Sequence, residues 1–259
     1  MSAVGRMPVA FIGHGSPMNA IEDNNFHREW RALGERLPRP KSIVCVSAHW
    51  ETRGVGVTAM ERPKTIHDFY GFPQALFDVR YPAPGDPALA QRVAGLLATH
   101  RPVLDQEWGL DHGSWGVLVA IYPRADVPVV QLSLDMTKPG GYHYEVGRAL
   151  RPLRDEGVLI LGSGNIVHNL RLFDWRKPQQ LDWAVRFDAA VKKRIAGGQH
   201  ADLIAFDRMG GDGELAINSA EHYLPLLYVL GAADEGDRVS FFNEAVMSSI
   251  SMTSVVFGQ

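Results

Sequence analysis

One cysteine, Cys45, occurs among the 259 residues, so no disulfide can form within the chain and a bridge-stabilised secreted scaffold is excluded. Cys45 lies in the apolar run Ser42-Ile43-Val44-Cys45-Val46-Ser47, the setting of a buried small hydrophobe rather than of a nucleophile. Charge of one sign is also lacking. With 26 Lys+Arg against 29 Asp+Glu the net charge is −3, which argues against nucleic acid or an anionic membrane as the main partner. No apolar run approaches the roughly 20 residues that cross a bilayer, and no long apolar stretch follows Met1 to Arg6 as a secretion signal requires. The expectation is a cytoplasmic protein that binds no nucleic acid and spans no membrane; oligomeric state is not legible. Several catalytic signatures are missing as well. Neither the Walker pattern nor Gly-x-Gly-x-x-Gly is present, nor Gly-x-Ser-x-Gly, nor His-Glu-x-x-His.

What the chain does have is 46% apolar and 21% charged residues, enough to bury a large core without staples. Its length suits one hydrophobic core, so residues 1–259 are expected to form one domain. Short apolar runs alternate with helical patterns, which predicts an α/β fold: a central, mostly parallel or mixed sheet flanked by helices. The predicted strands are Pro8–Ile12, Ser42–Ser47, Val55–Met60, Val127–Leu132 and Val158–Leu161, with edge or antiparallel strands at Val239–Phe242 and Ser251–Phe257. A helix opens with Asp86 as N-cap and Pro87 at its first position. Others are predicted over Asp182 to Ile195, and from Pro225 until Gly231 stops it. The segments Pro63–Gly85 and Arg101–Gly113 are rich in Pro, Gly, His and aromatics and predict long loops, which in a compact domain are commonly site walls.

Ten histidines are present. His27, His100, His143 and His200 sit in polar helical or loop contexts and are expected at the surface. The rest are placed differently. His14 follows the first strand in Gly13-His14-Gly15-Ser16-Pro17, His49 follows the second in Ser47-Ala48-His49-Trp50, and His168 comes shortly after Leu159-Ile160-Leu161. Open parallel sheets bind ligands beyond the carboxyl ends of their strands, so three such histidines can meet in one crevice. His222, at the start of the Pro225 helix, and His112, in Asp111-His112-Gly113-Ser114-Trp115, are further candidates. Each alone reads most simply as a satisfied loop residue; their joint placement points to a shared metal or catalytic site.

Imidazole suits zinc, iron, copper and nickel, so ligand type leaves the metal open. Three histidines and a water would suit zinc-assisted hydrolysis, and two histidines with a third ligand and open positions would suit non-haem Fe(II) oxygen chemistry. A protein that only binds metal or a phenolic ligand is the third reading. Trp50, Tyr70, Phe72, Trp115 and Tyr223 all neighbour candidate residues, either as aromatic site walls or as core.

Longer motifs narrow this. Thr65-Ile66-His67-Asp68-Phe69 with Gly71-Phe72-Pro73, Tyr81-Pro82-Ala83-Pro84-Gly85, Asp111-His112-Gly113-Ser114-Trp115-Gly116, Gly164-Asn165 to His168-Asn169-Leu170, and Glu221-His222-Tyr223-Leu224-Pro225 join the two strand-end motifs. Together, from residue 7 to about 232, they resemble the class III (LigB-like) extradiol ring-cleavage dioxygenases of the 4,5-DOPA type. The resemblance implies an enzyme that opens a catechol, DOPA-like, beside its paired hydroxyls using O₂. It implies His14 and His49 as metal ligands with His222 as the third, although class members acting on protocatechuate use a glutamate, and Glu221 is adjacent. It implies His168 as the acid and base, able also to close a resting metal shell, and His112 as a hydrogen-bonding partner of oxygen or substrate. Fe(II) is expected for activity, with Zn(II) an alternative occupant of isolated protein. Arg53 and Arg171 are candidate cations for a substrate carboxylate.

Overall fold

In the computed structural model, which describes residues 6–176 and 179–259, the central apolar runs become strands buried along nearly all of their length, while Val239–Phe242 is half-buried throughout. The expectation about Met1 to Arg6 therefore lies outside the described residues, Arg6 apart. In chain order the first elements are β1 (Val9–Gly13), α1 (Asn25–Arg36), β2 (Ser42–Thr52), β3 (Gly56–Thr58), α2 (Gln74–Phe77), α3 (Pro87–Leu96), β4 (Val103–Asp105) and α4 (His112–Ile121). There follow β5 (Val129–Asp135), α5 (Gly140–Leu150), β6 (Val158–Gly164), α6 (Asp182–Ala196), α7 (His200–Ile204), α8 (Gly210–Ala216) and α9 (Leu224–Ala232). The chain closes with β7 (Val239–Phe242), β8 (Val246–Met247), β9 (Ile250–Ser251) and β10 (Ser254–Phe257).

Eight strands form one mixed sheet in the order β4-β3-β5-β2-β6-β1-β10-β7. Its centre, β5-β2-β6-β1, is parallel, while β10 adds antiparallel to β1, β7 adds antiparallel to β10, and β3 meets β5 antiparallel. Strands buried on both faces need no alternation, which is why the central runs read as continuous hydrophobics. Alternate residues feed two separate layers. Val9, Phe11, Val44 and Val46 pack with α3, α5, α6 and α9, whereas Ala10, Ile12, Ile43 and Cys45 pack with α1 and α4. The α/β, helix-flanked mixed sheet expected from the sequence is the architecture found.

Several boundaries differ for physical reasons. β2 does not stop at Ser47 but runs to Thr52, with a register shift between Val46 and Glu51, so His49 sits within an irregular strand rather than after it. Gly231 does not stop α9, which continues to Ala232; a Cβ at Gly231 would meet the Tyr144 carbonyl, so this glycine lets α5 and α9 approach. The loop expected over Arg101–Gly113 contains β4 and the start of α4, capped by Asp111. The helix after Asp86 forms as expected, with the Asp86 side chain accepting from the Leu89 N–H. His143 is fully buried rather than at the surface, and His27, His100 and His200 are half-buried, against the Asn19 carbonyl, the Tyr142 ring and the Tyr144 hydroxyl respectively.

Candidate metal centre at the carboxyl ends of the strands

The parallel strands end on one side of the sheet, and there the chain turns sharply. β1 and β6 finish side by side, with Gly13 opposite Gly164 and the His14 N–H donating to the Gly164 carbonyl at 3.0 Å. No side chain fits at either glycine. A Cβ at Gly13 would meet the Met252 backbone, and one at Gly164 the His222 carbonyl. These close approaches bring the segment carrying His222 down onto the strand ends, a contact sealed by the Asn165 N–H donating to the His222 carbonyl at 2.8 Å. His112 enters from the first turn of α4. There Gly113 leaves room for Ser47 and the His49 ring, and Ser47 Oγ donates to Asp111 Oδ1 at 2.7 Å.

Five histidines converge as a result. The ring centroids of His14, His49 and His222 form a near-equilateral triangle with separations of 5.1, 5.1 and 5.3 Å. His112 lies 3.9 Å from the His49 ring, and His168 is stacked on His222 at 3.4 Å with planes 12° apart. His14 Nε2 and His49 Nε2 face each other at 3.4 Å. Ring nitrogens of His14, His49 and His112 lie within 4.8 Å of one another, as do ligand atoms of His168, Glu221 and His222. All five candidates from the sequence therefore meet in one cleft.

The outer nitrogens are held. His14 Nδ1 is 3.0 Å from Ser163 Oγ, and the His222 Nδ1–H donates to Glu221 Oε1 at 3.0 Å. Asp68 serves the other side: Oδ1 accepts the His112 backbone N–H at 2.9 Å, and Oδ2 stands 2.9 Å from His112 Nδ1 and 3.7 Å from His49 Nδ1. Burial, reinforced by neighbouring imidazoles, keeps His14 and His49 well below the usual histidine range. His168 is pushed down to about 3 by the same causes. Burial also lowers His222, opposed by its bond to Glu221. Burial is the largest single influence on Glu221 and would raise it, but the hydrogen bond and charge of His222, with the Ser219 hydroxyl and the backbone, together outweigh it and hold the carboxyl at about 2. Neutral imidazoles presenting lone pairs to a common space are the donor chemistry a divalent metal requires, so the residues fit such an ion.

Over these rings lies a cavity of about 500 Å³. Tyr70 and Phe72 line it, as the sequence suggested, whereas Trp50, Trp115 and Tyr223 are buried in the packing and do not. Trp115 instead donates its indole N–H to the Ile66 carbonyl at 2.7 Å, pinning the loop that carries Asp68. Asp68 had no marker in the sequence beyond its motif, because nothing local tells which imidazole a loop carboxylate will reach. A larger cleft of about 830 Å³ lies beside the amino end of β1, with Arg151, Asp234 and Asp237 along it. Those charges are paired with each other or with Arg154, and no imidazole cluster accompanies them, so the chemistry belongs to the histidine cleft.

Comparison with known proteins agrees with this geometry. The catalytic LigB subunit of aromatic ring-opening dioxygenase matches residues 8–258. A protein named 4,5-DOPA dioxygenase extradiol from Escherichia coli (strain K12) is 54% identical over 98% of this chain and 95% of its own. One of the same name from Beta vulgaris is 38% identical over 91% of this chain and 90% of its own. The crystal structure of an uncharacterised Escherichia coli K12 protein superposes with a TM-score of 0.86 at 50% identity, covering 98% of this chain and 100% of that one.

Proposed function

The chain belongs to the LigB family of aromatic ring-opening dioxygenases, and from that premise we propose which residues do its chemistry. It is a metal-dependent extradiol ring-cleavage dioxygenase, which opens catechol-type rings beside the paired hydroxyls with O₂. The single observation that carries the residue assignment is the triangle of His14, His49 and His222 at 5.1–5.3 Å. These three are the metal ligands. Glu221 then holds His222 through Nδ1 rather than ligating, the usual arrangement of a carboxylate behind a metal-bound imidazole. The metal is Fe(II) in the active enzyme; Zn(II) suits the same donors and is the alternative occupant of isolated protein. When bound, the ion draws the catechol and O₂ together and favours the catechol's ionised form.

The remaining residues position and move protons. His168, neutral because burial pushes it to about 3, accepts the proton from the catechol hydroxyl and later returns it to the opening ring. Its stacking on His222 holds the ring beside the ligand triangle, which supports this role, and in a resting site it would also complete the shell. His112, beside His49 and backed by Asp68, hydrogen-bonds substrate or oxygen at the opposite wall. The aromatic walls exclude water from the reacting ring, where proximity supplies much of the rate. L-DOPA is the first catechol to offer, on the relatives' names. A single catalytic domain over 1–259 and a cytoplasmic setting, supported by the lone buried Cys45, complete the reading.

The test is oxygen uptake by Fe(II)-loaded protein given catechol or L-DOPA, with appearance of yellow ring-opened product. His168→Ala is expected to keep bound metal while turnover falls by roughly 10²–10⁴-fold. Unchanged metal content in His14→Ala would overturn the ligand assignment.

A further inference from the structure

The cavity above the histidines is larger than a bare catechol needs. At about 500 Å³ it falls in the range that encloses a drug-sized ligand, whereas catechol is one ring with two hydroxyls. Three segments build its outer walls. The loop before α2 supplies Phe69, Tyr70 and Phe72; the stretch after His168 supplies Leu170, Phe173 and Trp175; and the β8–β9 hairpin supplies Met247 and Ile250. All are apolar or aromatic, and they brace one another. Phe69 meets Phe72 edge to face at 5.5 Å, and Phe173 meets Trp175 at 4.6 Å. The side chains at the mouth are left bare: Tyr70 is 92% exposed, Trp175 70% and Leu170 46%. Large apolar groups gathered open to water around one concavity mark a surface that a ligand covers.

Charge points the same way. Among the described residues Asp68 is the one charged side chain lining this cavity, and its carboxylate already accepts the His112 backbone N–H and stands 2.9 Å from His112 Nδ1. Neither Arg53 nor Arg171, the cations anticipated for a substrate carboxylate, lines it. An amino-acid side chain on the ring would surrender hydration here without a charged partner in exchange. An apolar substituent would instead be buried together with the exposed rings.

Resting on the dioxygenase reading above, we infer that the site selects catechols whose ring substituent is an apolar alkyl or aryl group, covered by the Tyr70, Leu170 and Trp175 walls. Such catechols are preferred over those bearing an amino-acid or carboxylate side chain. L-DOPA is then cleaved through its ring, with its side chain contributing little to binding.

The experiment compares catechol, 4-phenylcatechol and L-DOPA on Fe(II)-loaded protein, by oxygen uptake under air and by calorimetric titration without oxygen. Burial of the added ring is expected to favour 4-phenylcatechol over L-DOPA roughly tenfold or more in kcat/KM and in dissociation constant. Trp175→Ser and Leu170→Ser should each lower the ratio of 4-phenylcatechol to catechol kcat/KM several-fold. L-DOPA equal to or better than 4-phenylcatechol in both readouts, with catechol oxidised normally, overturns the inference and leaves the dioxygenase reading standing. Tighter 4-phenylcatechol binding without oxidation of any catechol supports the apolar pocket and overturns the proposed chemistry instead.

Discussion

Glu221 Oε1 accepts the Nδ1–H of His222 at 3.0 Å, so two adjacent residues that both look like metal ligands in the sequence divide the work. Ser219 Oγ donates to the same oxygen at 2.8 Å and fixes the carboxylate there. Glu221 sets the tautomer of His222 and raises its basicity from behind. Glu221→Ala should therefore weaken metal binding about 10–100-fold, as loss of an outer-shell carboxylate does, while His222→Ala abolishes stoichiometric binding. Chelator competition with metal analysis measures both. Equal losses in the two variants would mean that the carboxylate ligates directly.

Asp68 reaches His112 twice, through the backbone N–H at 2.9 Å and Nδ1 at 2.9 Å, and approaches His49 Nδ1 at 3.7 Å. It acts through those imidazoles and thus is a positioning residue. Asp68→Asn keeps the acceptor for the backbone bond but removes the charge facing two rings. The expected result is a fall in kcat of about 10–100-fold with KM for catechol nearly unchanged. Asp68→Glu, which keeps the charge facing those rings, should retain more of kcat than Asp68→Asn. A rise in KM alone would assign Asp68 to substrate binding.

The sheet was largely legible because its central strands are buried on both faces, leaving continuous runs such as Ile43–Val46 and Leu159–Leu161. The same rule hid α4. Nine of its ten residues are buried, so it shows no 3.6-residue period, and Gly113 and Gly116 read as breakers. Asp111 followed three residues later by Ser114 was the available cap signal, confirmed by the Ser114 N–H donating to Asp111 Oδ1 at 3.1 Å. His14 and His168 were placed by strand ends, which local pattern reveals. His49 was misjudged because Ala48-His49-Trp50 breaks the apolar run, although β2 continues past it through a register shift. Asp68, and the burial of Trp115 and Tyr223, depend on contacts with residues distant in sequence, such as His112, Ile66 and Leu203, that no local window contains.

His143 lies outside the cleft, fully buried on α5 with Nδ1 3.0 Å from Tyr228 Oη, and burial lowers its pKa from 6.5 to about 4. Above pH 6.5 it is neutral in both folded and unfolded chains and adds no pH dependence. As the pH falls from 6.5 to about 4, the unfolded chain takes up a proton that the folded one refuses, and stability is lost. The loss amounts to about 3 kcal/mol and is complete below the folded pKa. His143→Gln removes this dependence, so the stability gap between the two proteins should narrow by that amount across the window. Urea unfolding at pH 7, 5.5 and 4 checks it, and parallel curves would refute it.

Arg154 is 1% exposed, yet its guanidinium is fully engaged. Nη1 and Nη2 donate to Asp237 at 2.7 and 3.0 Å, Nε donates to the Met7 carbonyl at 2.7 Å, and Nη1 also reaches the Ala232 carbonyl at 3.1 Å. One side chain thus ties the segment leading into β1, the end of α9 and the turn before β7. Arg154→Met fills similar volume but strands the Asp237 carboxylate and two carbonyls. Breaking one partner of a buried pair costs about 3–5 kcal/mol, which for a chain of this size lowers Tm by roughly 10 °C. Adding Asp237→Leu should recover part of the loss, because the stranded charge is then gone. The histidine cleft lies at the other end of β1, so metal bound per folded molecule should not change. A single variant within about 1 kcal/mol of the parent would show that the bidentate pair is replaceable by packing alone.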